Sequence, residues 1–175
     1  MQFWIKTTGL AILFGSCILL GLTEERQLKN QWKLLEEWKA ILCYLKPELT
    51  WHKTLLPNAL RYASEGHMSL LAHFLKTAAE WAEQRDGRAF EEIWQEALAQ
   101  TIPKETLSQE KRRLLEESAA ALCVQDTAMQ NTLMDQAIFR LEQAAKEAER
   151  EYQEKGKLYR KLSVTAGVFL VILMW

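Results

Sequence analysis

The sequence predicts an all-α fold, an antiparallel bundle of about six helices whose long first and last members continue into terminal transmembrane segments. Three observations predict it. Only 7 Gly and 3 Pro interrupt 175 residues rich in Ala, Leu, Glu, Gln, Lys and Arg, the better helix formers. Apolar residues recur at steps of three and four through most of the chain. Both ends are long runs almost free of charge.

Residues 3–22 form the first run: Thr7 to Leu22 has no charged residue, and Phe3, Trp4 and Ile5 extend it past Lys6. About 20 helical residues cross a hydrocarbon core of ~30 Å, so this run suffices for one span. A cleaved signal peptide, or a lipoprotein signal with Cys17 as the lipidated residue, competes with that reading. The apolar run continues beyond Cys17 to Leu22, which argues against both. Residues 158–175 form the second run. Leu162 to Trp175 carries no charge over 14 residues, and at helical rise they cover about 21 Å. Tyr159 and the aliphatic stems of Arg160 and Lys161 extend it toward the far leaflet. A buried core helix is the alternative here, but a helix apolar all round needs a larger surrounding core than the rest of the chain supplies. Orientation follows from the flanks. Arg26, Lys29 and Lys33 follow the first run, and Arg150, Lys155, Lys157, Arg160 and Lys161 precede or open the second, against only Lys6 and the amino terminus opposite. The positive-inside rule therefore predicts that residues 23–157 form a cytosolic helical domain and that both termini face out.

Within that domain, Leu28, Trp32, Leu35 and Leu42, with Leu34, Trp38, Ile41 and Leu45 beside them, make a broad helical stripe that Pro47 is expected to stop. Leu55-Leu56-Pro57-Asn58 starts a second helix with Pro in its first turn and Gly66 as its C-terminal cap. A third runs from Met68 to the Asp86-Gly87 turn on Leu70, Leu71, Phe74, Leu75, Ala78 and Trp81. Phe90, Ile93, Trp94, Ala97 and Leu98 make a fourth, closed by Pro103. Thr106-Leu107-Ser108-Gln109 reads as a capping box for a fifth carrying Leu114, Leu115, Ala119 and Leu122. The sixth opens near Asp126-Thr127, with Thr127 and Gln130 in capping-box spacing. Its seam of Met134, Ile138, Leu141, Ala145, Ala148 and Tyr152 alternates steps of four and three. With Ala137, Ala144, Ala145 and Ala148 permitting close approach, this helix is expected to pair antiparallel with the first, and Gly156 marks a weak point near the membrane.

Chemistry is sparse. A net charge of −1 gives no electrostatic reason to expect nucleic acid as a partner. Cys17, Cys43 and Cys123 stand apart without a C-x-x-C pair, so no disulfide framework or metal site is indicated. His52, His67 and His73 fall in no metal-binding spacing, and neither a Gly-rich phosphate loop nor a nucleophile elbow is present. No catalytic, cofactor-binding or metal-ligating residue is assigned, and the chain is read as a non-enzyme with no cofactor. Trp32, Trp38, Trp81 and Trp94 occupy core-period positions, whereas Trp51 falls in a turn and is free to be exposed.

Several elements carry a resemblance across essentially the whole chain: the Gly-spaced first run (Gly9, Gly15, Gly21), the helix start at Pro57, Trp94 with Ala97-Leu98, the turn Leu122-Cys123-Val124-Gln125-Asp126 followed by Gln130, and Tyr159-Arg160-Lys161-Leu162-Ser163 with Gly167. In order and spacing they resemble the stage III sporulation protein AB family, part of the stage III A complex of spore-forming Firmicutes. Family members usually have Gly where this chain has Cys123 and Ser163. The resemblance implies a non-enzymatic adaptor or platform subunit of a channel or secretion-like apparatus. It would sit in the mother-cell-derived outer forespore membrane, with its bulk in the cytosol. It is also similar to a cytoplasmic domain of the platform proteins of type II secretion and type IV pilus systems. A cytosolic secretion-type ATPase, the other stage III A membrane subunits and the lipid bilayer are then the expected partners, with homo-oligomerisation open. The alternative is a membrane-tethered structural or signalling bundle with unrelated partners. Pro57, Trp94, Asp126, Gln130 and Gly167 are read as structural motif positions, and Arg26, Lys29, Lys157, Arg160 and Lys161 as membrane flanks.

Overall fold

The computed structural model describes residues 2–65, 68–84, 87–124, 126–156, 158, 162 and 165, with side chains from residue 23 onward. Among the described residues there are six α-helices and no strand: α1 (Gln2–Thr50), α2 (Leu56–Ser64), α3 (Leu70–Glu83), α4 (Phe90–Thr101), α5 (Gln109–Cys123) and α6 (Thr127–Glu151). A 3-10 turn, Lys104–Thr106, precedes α5, and a π-helical turn, Tyr152–Gly156, follows α6. Among the described residues no helix is long and apolar enough to cross a membrane. The side chains of 3–22, and all of 158–175 except three positions, lie outside them, and with these the two predicted membrane segments and Lys157, Arg160, Lys161 and Gly167. Gly66, the expected cap of α2, and Asp86 also lie outside.

The chain divides into two compact units, Met1–Trp32 with Lys146–Trp175, and Lys33–Ala145. In the first, the Trp32 and Tyr152 rings stack at 6.0 Å and 15°. Gly156, in the π-helical turn, is buried against that tyrosine: a Cβ there would come within 3.2 Å of the ring edge and 3.5 Å of Glu25.

The second unit holds the main core. Leu35, Leu42 and Leu45 of α1, Ala59 and Leu60 of α2, Leu71, Leu75 and Ala78 of α3 and Ala97 and Leu98 of α4 are fully buried, with Leu115 of α5 and Ala145 of α6. Their centre is aromatic. Phe74 meets Trp94 edge-on at 4.5 Å, and Trp38 lies 5.6 Å from Trp94 and 6.2 Å from Phe74, within the range where ring quadrupoles attract. Trp38 and Trp94 are fully buried, and Trp81 and Trp32 are half-buried.

Local chemistry sets where each helix begins and ends, and in three places it differs from the expectation. Pro47 does not stop α1, which runs on to Thr50. The proline removes a single N–H near the helix end, while its own carbonyl accepts from Trp51 N at 2.9 Å, and Thr50 Oγ1 donates to Lys46 O at 2.8 Å. Ser108, not Thr106, caps α5, accepting from Lys111 N at 3.4 Å, because Thr106 is drawn into the 3-10 turn by its bond to Pro103 O. Asp126, a family-motif position whose structural reading is helix capping, caps α6 in place of the Thr127 capping box: one carboxylate oxygen accepts from Ala128 N at 2.8 Å and Met129 N at 3.0 Å. The starts of α2 and α3 agree with it better. Pro57 sits in the first turn of α2, and Ser69 caps α3 by accepting from Ala72 N at 3.0 Å. Ser69→Ala is expected to lower stability by about 1 kcal/mol, read as a shift in the urea midpoint at unchanged slope. Gly87, at φ +84°, makes the left-handed turn into α4 that other residues resist.

Candidate partner-binding surface

The sequence-predicted positions do not converge on one site. Arg26 and Lys29 are exposed on α1, Pro57 is half-buried at the start of α2, and Trp94 is in the core. Asp126 and Gln130 share the α5–α6 turn, where Gln130, almost fully buried, donates from Nε2 to Leu122 O at 3.2 Å. That bond satisfies a carbonyl at the end of α5 and fixes the turn. His52 and His73 are both exposed. No group of three or more metal-ligating side chains occurs among the described residues.

Two side chains tie α4 to α5. Trp94 Nε1 donates to Leu115 O at 2.8 Å. Arg112 reaches back from the first turn of α5, donating from Nη2 to Leu98 O at 3.1 Å and from Nη1 to Ile102 O at 3.0 Å. A guanidinium suits this place at the negative end of the helix dipole: Ile102 O lies just past the last turn of α4, and Leu98 O, which already accepts from Ile102 N at 3.1 Å, takes a second bond. Arg112 shares the stripe of Leu115, Ala119 and Leu122, so a cation on the apolar face was its sequence signal.

A different feature faces outward. Between α1 and α2 lies an open, mainly apolar groove of about 280 Å³, lined by Glu37, Ala40, Ile41, Tyr44, Tyr62 and Ala63. The four α1 residues follow the i, i+3, i+4, i+7 pattern and so lie on one face over two turns. Tyr44 is 44% exposed and Tyr62 53%. Trp51 and Leu55, in the connection between these helices, are more exposed still. Glu37 is half-buried and makes no hydrogen bond or ion pair with the described residues. Among the described residues of this unit it is the one half-buried carboxylate of which that is true: Glu36 pairs with Lys39 at 2.9 Å, Glu48 accepts from Thr54 at 2.9 Å and Glu116 faces Arg112 at 3.6 Å. Sequence reasoning placed Ile41 in a core stripe but did not find this groove, because α2 supplies the opposite wall.

The cysteines differ in kind. Cys43 is exposed, whereas Cys123 is half-buried, and burial, aided by the negative charge of Glu91, pushes its thiol up to about 12. Peptide mapping after iodoacetamide at pH 8 is expected to find Cys43 alkylated and Cys123 spared. Equal labelling would show that Cys123 is not desolvated.

A buried aromatic centre, capped helix ends and an open groove between two helices define a class: an all-α protein of packed helices. The particular family is shown by its sequence model. Stage III sporulation protein AB matches residues 6–175, and the chain belongs to that sporulation family. A solved structure described as stage III sporulation protein AB is similar in fold, at 17% identity and a TM-score of 0.63, over 70% of this chain and 96% of that one. No curated protein matches the chain.

Proposed function

We propose that this protein is a non-enzymatic, membrane-embedded adaptor subunit of a sporulation channel or secretion-like complex, coupling a cytosolic secretion-type ATPase to other stage III A membrane subunits. The observation that carries the reading is the family match over residues 6–175, which takes in both uncharged ends as well as the helical middle. The apolar runs 3–22 and 158–175 act as membrane helices, and the basic residues beside them hold 23–157 in the cytosol, at the mother-cell-derived outer forespore membrane. Coupling would be mechanical, passing along α1 and α6 as an antiparallel pair. Reversed contact order within each unit supports that pairing. Lys46 pairs with Asp135 at 2.5 Å while Lys39 feels the charge of Glu142, and separately Glu25 approaches Gly156 while Trp32 stacks on Tyr152.

Cysteine accessibility in intact cells tests the topology. In a background lacking the native cysteines, single cysteines replace Gln2 and Gln84 and a third follows Trp175. Labelling at both ends but not at position 84 is expected. Labelling at 84 would place the domain outside the cytosol and remove a cytosolic ATPase as partner.

A further inference from the structure

We infer that the groove between α1 and α2 is a docking site for an amphipathic helix of a protein partner, one that presents two large apolar side chains and, one turn away, a Lys or Arg to Glu37. The adaptor reading names no surface, and this inference goes beyond it.

Four observations fix the chemistry of the occupant. The α1 wall spans residues 37 to 44, so at 1.5 Å per residue it offers roughly 10 Å of apolar face, enough for two turns of a second helix. Its volume of about 280 Å³ accommodates two large side chains set three or four residues apart. Tyr44 and Tyr62, which line it, are partly exposed aromatic residues with low conformational freedom, the type that anchors protein interfaces. Glu37 supplies the fourth. It is the one charged residue lining an otherwise uncharged groove, it has no partner among the described residues, and a cation delivered to it on docking gains an ion pair that the apolar walls shield from water. The same carboxylate argues against a bilayer as the occupant, because cytoplasmic leaflets are themselves negative.

The test selects displayed 18-residue helical peptides of randomised sequence on the full chain held in neutral phosphatidylcholine nanodiscs. Enriched peptides are expected to carry two large apolar residues at i, i+3 or i, i+4 with a basic residue one turn beyond. Affinity of the consensus peptide should fall at least tenfold on Glu37→Lys and recover when the peptide's basic residue is changed to Glu. Tyr44→Ala should weaken binding at least fivefold, and Phe139→Ala, at an exposed aromatic on α6, should leave it unchanged. Thermal melts confirm that each variant folds, and Glu37→Gln replaces Glu37→Lys if the latter does not. The inference is overturned if selection enriches nothing or shows no basic preference, or if binding ignores Glu37 and Tyr44. It also fails if Tyr44→Ala abolishes only self-association or only binding to anionic vesicles, since a second copy or a lipid surface would then fill the groove. Topology is read by cysteine labelling alone, so the two results stand separately.

Discussion

Trp94→Ala is expected to remove about 3–5 kcal/mol of stability, the largest effect of any single substitution in the second unit. Its indole is fully buried and packs against Trp38, Phe74 and, at 5.5 Å, Phe90, so truncation empties the point where α1, α3 and α4 meet. Phenylalanine at the same position separates packing from hydrogen bonding. Trp94→Phe loses the bond to Leu115 O, but that carbonyl still accepts from Ser118 Oγ at 2.6 Å, so it is not left bare. Trp38→Phe loses no hydrogen bond, because the buried Trp38 Nε1 has no partner among the described residues. Chemical denaturation should therefore rank Trp94→Phe below Trp38→Phe by about 1 kcal/mol. Equal losses would mean that the Leu115 bond contributes nothing net.

Arg112→Met comes second, with an expected loss of about 2–3 kcal/mol, because it strips Ile102 O of a charged donor and leaves Leu98 O with only its helical bond from Ile102 N. The side chain is 13% exposed, so water cannot simply take its place. Arg112→Lys should recover less than half of the loss, since an ammonium cannot span Leu98 O and Ile102 O as the planar fork does. Its neighbour is the control. Arg113 is 76% exposed and pairs with Glu117 at 2.8 Å, and Arg113→Met should cost no more than about 0.5 kcal/mol. Loss of similar size at both positions would refute the clamp.

Much of this fold was legible because it depends on spacing and on local backbone chemistry. The steps of three and four that marked Leu35, Leu42 and Leu45, or Phe74, Leu75 and Ala78, are the burial pattern itself. Helix starts were less secure. Thr106, Ser108, Asp126 and Thr127 are all competent caps, and which of each pair acts depends on a neighbouring turn that sequence spacing does not encode. The surface was the least legible. Glu37, Tyr44 and Tyr62 are unremarkable positions on two separate helices, and only their juxtaposition makes a groove. Trp51 was the exception, its place in a turn foretelling its exposure.

The π-helical turn at Tyr152–Gly156 bears on how this chain tolerates insertions and deletions. A turn closed over five residues holds one more than an α-turn, which advances the helical phase by about 100°. Removing one of the exposed residues 153–155 returns that turn to ordinary winding and leaves the seam from Met134 to Ala148 untouched. Removing one inside the seam itself, at Lys146 for example, would swing Ala148 off the face that buries it. Length variation among relatives is therefore expected to collect at the π-helical turn and to be purged a few residues upstream.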